Sequence, residues 1–358
     1  MKNRRLILIL TGIFILSAVL CPARDLSFNG QLSVWGTAGE IRLDDILTGI
    51  RYIPQWQTGT QLSDNENFDA ELSLNTYYTT PLNSFNDIKE YTLIRPYRVW
   101  CRYSTDQFEA RLGLQKINFG PAKILRSLMW FDRIDPRDPQ GLTDGVYGLL
   151  MRYFFLDNSN VWVWGLYGNE EAKGLEASGT YSRNVECGGR YQFPVPMGEV
   201  ALTYHSRRTA DDAYETRSAV DGSWDIGVGL WAEAVLQNTT PASGSKTQDK
   251  LLTLGSDYTF DLGTGLHVLG EYMLSDSEQL GVTYHLLAIS ADYSLTIIDS
   301  LKAIVSYYGE TENIDYYCGW QGTYDDWTVN LSVYESSSAA AGSLFSDKGV
   351  HVLVTWNH

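Results

Sequence analysis

Apolar and polar residues alternate one by one over most of this chain. In Leu301–Tyr308 the odd positions are apolar. Trp327, Val329, Leu331 and Val333 alternate with Thr328, Asn330 and Ser332, and Val350, Val352, Val354 and Trp356 with His351 and Thr355. Phe68, Ala70, Leu72 and Leu74 alternate with Asp69, Glu71, Ser73 and Asn75, and Ile226 to Ala234 repeats the pattern. A period of two places one residue set on each face of a β-strand. Each segment is roughly 10 residues long, the length of a tilted strand that crosses a bilayer.

Two kinds of connection separate the segments. Short ones fall at Ser104–Asp106, Leu156–Asn160, Pro196–Gly198, Asp221–Ser223, Leu262–Gly265, Ile298–Ser300 and Asp325–Asp326. Longer polar ones fall at Pro81–Glu90, Ala210–Asp212, Thr239–Gln248 and Ser336–Lys348. Long and short largely alternate, as in barrels with short turns at one rim and long loops at the other. The pattern predicts an all-β chain forming a closed antiparallel transmembrane β-barrel of 16–18 strands. They lie near 26–36, 49–59, 67–79, 91–103, 107–117, 145–155, 160–168, 184–193, 199–208, 213–220, 224–237, 250–261, 265–274, 282–295, 300–309, 314–324, 327–335 and 349–357. The weakest are 184–193, 213–220 and 314–324. A soluble sandwich of this length would need a linker between two domains, and a β-helix would show a fixed repeat; neither is visible. A sheet within lipid must close, because every backbone group has to be paired internally.

One segment departs from the pattern. Residues 118–145, NFGPAKILRSLMWFDRIDPRDPQGLTDG, run between two strong strands. Loops this long carry a function or are disordered. This one holds Ile124, Leu125, Leu128, Met129, Trp130, Phe131 and Ile134, so it is not built like disorder. Ala122–Phe131 is expected to form a short helix, ended by Pro136 and Pro139, and the loop is expected to fold inward.

The N-terminus supplies a compartment. Lys2, Arg4 and Arg5 precede an apolar run, Leu6–Leu20, and Cys21-Pro22-Ala23 offers small residues for cleavage after Ala23. This is the design of a secretory signal peptide, residues 1–23. The run is short of the roughly 20 apolar residues that span hydrocarbon, and Leu20 argues against an acylated Cys21. A single barrel domain then covers 24–358. The formal net charge of −16 excludes nucleic acid as a partner class, since phosphate binding needs clustered Lys and Arg. Cys101, Cys187 and Cys318 are scattered and read as small wall residues, with no disulfide framework or zinc spacing.

No catalytic constellation is visible: there is no H-E-x-x-H, P-loop or G-x-S-x-G. His205 and Ser206 are adjacent on one strand and point to opposite faces. No metal site or cofactor is expected, nor an enzyme. The informative group is arginine. If Tyr97, Val99, Cys101 and Tyr103 face lipid, Arg98 and Arg102 face the lumen; by the same alternation Arg111 and Gln115 face inward beside Glu109, as does Arg152, with Arg51 joining them. Charge on the lipid side costs roughly 2–4 kcal/mol at the midplane, which supports the inward placement. The expected result is a basic ladder facing Arg126, Asp132, Arg133, Asp135, Arg137 and Asp138 of the long loop: a charged constriction. The plainer reading is neutralisation, with Asp69, Glu71 and Glu109 pairing the arginines and stiffening the wall.

The run Arg111-Leu-Gly-Leu-Gln115-Lys-Ile-Asn-Phe-Gly120, with Leu125-Arg126, Phe131-Asp132 and Asp135-Pro136-Arg137-Asp138-Pro139, resembles a pattern in outer-membrane porins, including the alginate-export-like group. There a strand with inward Arg and Gln feeds a long loop. The resemblance covers about 30 residues, and the ending Trp356-Asn357-His358 departs from the usual terminal aromatic. It implies passage of small hydrophilic solutes through the outer membrane of a Gram-negative-type bacterium, among lipid and lipopolysaccharide, as a monomer or a homo-oligomer such as a trimer. Alternatives are a specific transporter or exporter of an acidic polymer or carboxylated solute, a structural or adhesive barrel, and an outer-membrane enzyme.

Overall fold

A computed structural model describes residues 25–39, 46–81, 91–336 and 347–358. The expected signal peptide, and parts of the expected loops at 81–90 and 336–348, lie outside the described residues. Eighteen strands follow in chain order. The first six are β1 (Asp25–Gly39), β2 (Ile46–Ser63), β3 (Glu66–Pro81), β4 (Tyr91–Ser104), β5 (Phe108–Gln115) and β6 (Val146–Phe154). Next come β7 (Asn160–Tyr167), β8 (Val185–Val195), β9 (Gly198–Arg208), β10 (Tyr214–Asp225), β11 (Gly229–Thr240) and β12 (Thr247–Phe260). The last six are β13 (Leu266–Ser277), β14 (Val282–Ser294), β15 (Asp299–Tyr308), β16 (Asn313–Tyr324), β17 (Trp327–Ser336) and β18 (Asp347–Asn357). Each strand pairs antiparallel with its neighbours in sequence, and β1 pairs with β18 from Gln31↔Asn357 to Gly39↔Gly349, so the sheet closes on itself.

The alternation sorts the side chains as expected. On β17, Leu331 and Val333 point outward while Asn330 and Ser332 are buried inside. On β3, Glu71, Ser73 and Asn75 are buried. Leu202, Val220, Leu254, Ile289 and Val352 are exposed on the outside. Such a continuous apolar exterior would drive aggregation in water and is stable against lipid, where the closed ladder leaves no backbone group unpaired. Cys187 and Cys318 are exposed and Cys101 partly so, all three as free thiols.

One turn sits elsewhere than its residues suggest. Asp221-Gly222-Ser223 has turn chemistry, yet it lies within β10. Asp221 is buried and bound by Arg190, so its charge serves an interior pair. The chain reverses four residues later, at 226–228, where Gly227 has φ 90° and Asp225 Oδ1 accepts the Gly227 N–H at 3.2 Å. A positive φ is the conformation glycine adopts without penalty.

The described connections at one rim are short turns. At the other rim two long segments stand out, 116–145 and 168–184. The second was not singled out by its sequence pattern.

Candidate functional site

The long loop enters the barrel with an apolar side against the wall. Ile117, Phe119, Leu128, Trp130 and Phe131 pack with Val146, Leu150, Trp164, Leu166 and Val235, which face inward from β6, β7 and β11. Phe119 stacks on Trp164 with ring centroids 5.8 Å apart, and Phe131 meets the same indole edge-on at 5.6 Å. Ile124 reaches Ile304, Tyr317 and Tyr334 of β15–β17 and also Trp231 and Leu269. The loop's apolar residues thus form a small core inside the lumen.

The helix expected at Ala122–Phe131 does not form; among the described residues the chain contains no helix. The reason is geometric: one carboxylate binds two N–H groups that a helix would hold about 9 Å apart along its axis. Glu233 on β11 accepts from Ala122 N and Leu128 N, each at 3.0 Å. Glu271 on β13 accepts from Lys123 N at 2.7 Å, Ile124 N at 2.9 Å and Leu125 N at 2.5 Å. The first four N–H groups of a helix have no partner within it, so of these donors only Leu128 N would have had one; drawing Ala122 N and Leu128 N to the same carboxylate folds the segment against the wall instead.

The returning leg crosses to β1, β2 and β4. Gln140 donates to Ser33 Oγ at 2.5 Å and accepts from Arg51 at 2.7 Å. Arg98 donates to the carbonyl and hydroxyl of Thr143, both at 3.0 Å, and Arg95 pairs with Asp144 at 2.6 Å. Arg51 and Arg98 are therefore engaged by the loop. Gln115 is fully buried and donates to the carbonyls of Arg111 and Gly148, so it braces backbone.

Arg102, Arg111 and Arg152 form a row on β4, β5 and β6 near the turn rim. Arg102 reaches Asp69 at 2.9 Å. All three share Glu109, at 3.6 Å from Arg102, 3.2 Å from Arg111 and 3.6 Å from Arg152. Arg111 lies over the Trp100 ring at 4.7 Å and Arg152 over Trp162 at 3.9 Å. The Nε atoms of Arg111 and Arg152 are buried and have no hydrogen-bond acceptor. Glu71 accepts from Ser73 at 3.2 Å and, among the described residues, makes no ion pair.

The loop's own charges mostly satisfy one another. Asp132 is 1% exposed and sits 3.7 Å from the buried Arg126, which also bonds Asn118 and the Phe119 carbonyl. Asp135 pairs with Arg137 at 2.9 Å, Asp138 accepts from Gln140 N at 2.9 Å, and Arg133 is exposed. Asp132 does not line an opposing acidic wall, because the loop's aromatic core carries it inside.

Burial pushes the Asp132 carboxyl above the ordinary range against the pull of Arg126 and Lys116; burial does the same for Asp138 against the Gln140 N–H and Arg51. A raised folded-state value means that the charged form opposes docking above that value, and that the penalty fades as pH falls through it. Lowering pH toward the usual aspartate range near about 3.9 should neutralise both before exposed aspartates. Anion preference should rise in that window. An Asp132→Asn, Asp138→Asn double variant should show a flatter response, and an unaltered pH profile of reversal potential would assign the change to other carboxylates.

The sequence reading missed a second inward segment. Lys173 and Glu176 of 168–184 dip against β8–β10, where Lys173 pairs with Glu176 and Glu186 at 3.1 Å each. Arg207 pairs with Glu176 at 2.8 Å and Glu215 at 2.7 Å, and Arg217 with Glu215 at 2.7 Å. His205 lies in this buried cluster, its Nε2 3.3 Å from Glu186 and its Nδ1 accepting from the Trp164 indole at 3.2 Å. The inward parity of His205, Arg207, Glu215 and Arg217 was the available signal. Arg190, also missed, is held by both oxygens of Asp221 at 2.6 and 2.8 Å. His267 sits 3.3 Å from Asp257 and His285 accepts or donates at the Tyr272 hydroxyl on the exposed side, so the two do not meet. No group of metal ligands occurs among the described residues. Toward the turn rim a recess of about 650 Å³ opens beneath Phe119–Pro121, bordered by Trp162, Arg190 and Asp225.

No protein-family model matches the chain, and no curated protein matches it by sequence. Solved structures do match. OccK5 (OpdH) of Pseudomonas aeruginosa is 12% identical with a TM-score of 0.60, over 94% of this chain and 98% of that one. OccD3 (OpdP) of the same organism is 11% identical with a TM-score of 0.59, over 94% and 91%. An anion-selective porin from Comamonas acidovorans is 12% identical with a TM-score of 0.53, over 93% and 99%. With the closed ladder and apolar exterior described above, this chain has the barrel fold of Gram-negative outer-membrane porins.

Proposed function

We propose that the protein is an outer-membrane channel for passive diffusion of small hydrophilic solutes, with a charged constriction that favours anions. The observation that carries this reading is the sharing of one carboxylate, Glu109, among Arg102, Arg111 and Arg152. Arg98, Arg102, Arg111 and Arg152 outnumber Asp69, Glu71 and Glu109 on this stretch of wall, and the Nε–H groups of Arg111 and Arg152 lack acceptors. A fixed charge of one sign on a pore wall selects permeating ions by sign. The long loop crosses the lumen and is held at Arg98 on the same wall, and its polar return leg supplies hydrogen-bonding groups. Neutralisation within the wall and selection at its surface coexist here, because the pairing is incomplete.

The test is single-channel recording of the purified protein in a planar bilayer under a salt gradient. Stable unitary steps with a reversal potential on the anion side are expected. A protein demonstrably folded and inserted that carries no current would sink the channel reading. A second reading, a transporter specific for carboxylated solutes, is favoured by the placement of Arg111 and Arg152 over indole rings, which would hold a planar carboxylate as well as steer it. It predicts current block that saturates with solute concentration.

A further inference from the structure

Glu233 and Glu271 are unusual carboxylates. Each is at most 1% exposed. Neither makes an ion pair among the described residues. Their oxygens are occupied by N–H groups instead: Ala122 and Leu128 at Glu233, and Lys123, Ile124, Leu125 and the Trp231 indole, at 2.9 Å, at Glu271. Three successive backbone N–H groups converging on one anion form a concave anion receptor. Here the anion is a side chain of the opposing wall.

The local sequence is arranged for this contact. Gly120 has φ 93°, and a Cβ there would lie 2.4 Å from Glu233 Oε1, so the backbone comes closest to the peg where no side chain intervenes. Thr253, on the strand between the two glutamates, donates its hydroxyl to the Leu125 carbonyl at 2.7 Å. A loop crossing a lumen away from any sheet must have its buried N–H groups satisfied, or lose about the full cost of each unmade bond. The wall satisfies five of them with two side chains.

We propose that Glu233 and Glu271 are positioning residues, carboxylate pegs that hold the 118–145 loop across the lumen and so set the width of the passage. This rests on the channel reading for its consequence, but the latch itself is a property of loop and wall. A carboxylate is required because it offers four acceptor sites; an amide at the same place offers half as many and carries no charge to match the convergent N–H dipoles.

The experiment uses the full barrel in two assays. Trypsin is too large to work inside the lumen, so cleavage after Lys123, Arg126 or Arg133 reports the loop leaving its seat. Glu271→Ala should raise conductance, add open-state noise, and speed loop cleavage on the order of tenfold or more, as expected for loss of several charge-assisted bonds. Glu271→Gln, which preserves shape and keeps one acceptor, should fall between wild type and Glu271→Ala, and remains informative if the alanine variant folds poorly. Formate or acetate added to Glu271→Ala should refill the receptor and restore both wild-type conductance and protection, whereas chloride at the same ionic strength should not. A folded Glu271→Ala protein with unchanged conductance and an uncut loop overturns the proposal, as does a Glu271→Gln protein indistinguishable from wild type in both assays. If wild type conducts nothing while loop cleavage follows this order, the pegs stand and the channel reading falls.

Discussion

Replacing Arg111 and Arg152 together with alanine is expected to move the reversal potential from the anion side to the cation side. Of the five guanidinium groups on β4–β6, Arg95 is paired with Asp144 of the loop, and Arg111 and Arg152 supply half of the remaining four. Without them Arg98 and Arg102 face Asp69, Glu71 and Glu109, so the excess charge changes sign. The effect is local, because fixed charges are screened beyond about 10 Å at 0.1 M salt. The shift should grow as the salt is diluted. Arg98→Ala is the informative control: that side chain is buried and spends its donors on Thr143, so its loss should loosen the loop's return leg and change conductance more than sign. If the double variant retains the wild-type reversal potential at low salt, the arginine row is wall reinforcement only, with Glu109 as its organiser.

Phe131→Ala should release the loop while leaving the barrel intact. Phe131 is 2% exposed and wedged among Trp164, His205 at 5.1 Å and Phe119 at 6.0 Å. Truncating a buried phenylalanine costs about 3–5 kcal/mol, a large share of what could hold a single loop. The closed ladder of eighteen strands does not pass through this residue, so strand content and heat-modifiable migration should stay as in wild type. Conductance and tryptic cleavage within the loop should both increase. Phe131→Leu, which keeps most of the apolar volume, should lose less. An unchanged conductance from Phe131→Ala would mean that the Glu233 and Glu271 contacts hold the loop without the aromatic seat.

The strands were legible because alternation is a local property: one pleat places Leu331 and Val333 in lipid and Asn330 and Ser332 inside, whatever the rest of the chain does. The inward facing of Arg102, Arg111 and Arg152 follows from the same pleat and from the cost of charge in hydrocarbon. Three features were not legible. Asp221-Gly222-Ser223 has the composition of a turn, but Arg190, thirty-one residues away, makes Asp221 an interior partner and moves the reversal to Gly227. Ala122–Phe131 has helix-forming content, but Glu233, more than a hundred residues away, draws Ala122 N and Leu128 N to one carboxylate, and a helix would hold them about 9 Å apart. Asp132 looks like a free pore charge, and the loop's aromatic core buries it beside Arg126.

The sequence by itself determined a closed antiparallel barrel of 16–18 strands, the facing of the strands with clear alternation, and where the long loop begins and ends, because each depends on residues adjacent in the chain. Only the tertiary structure decided the loop's path, the sharing of Glu109 by three arginines and the buried cluster around Glu176. These depend on partners that closure of the barrel brings together across its lumen, and a carboxylate on one strand carries no local mark of the backbone it will hold.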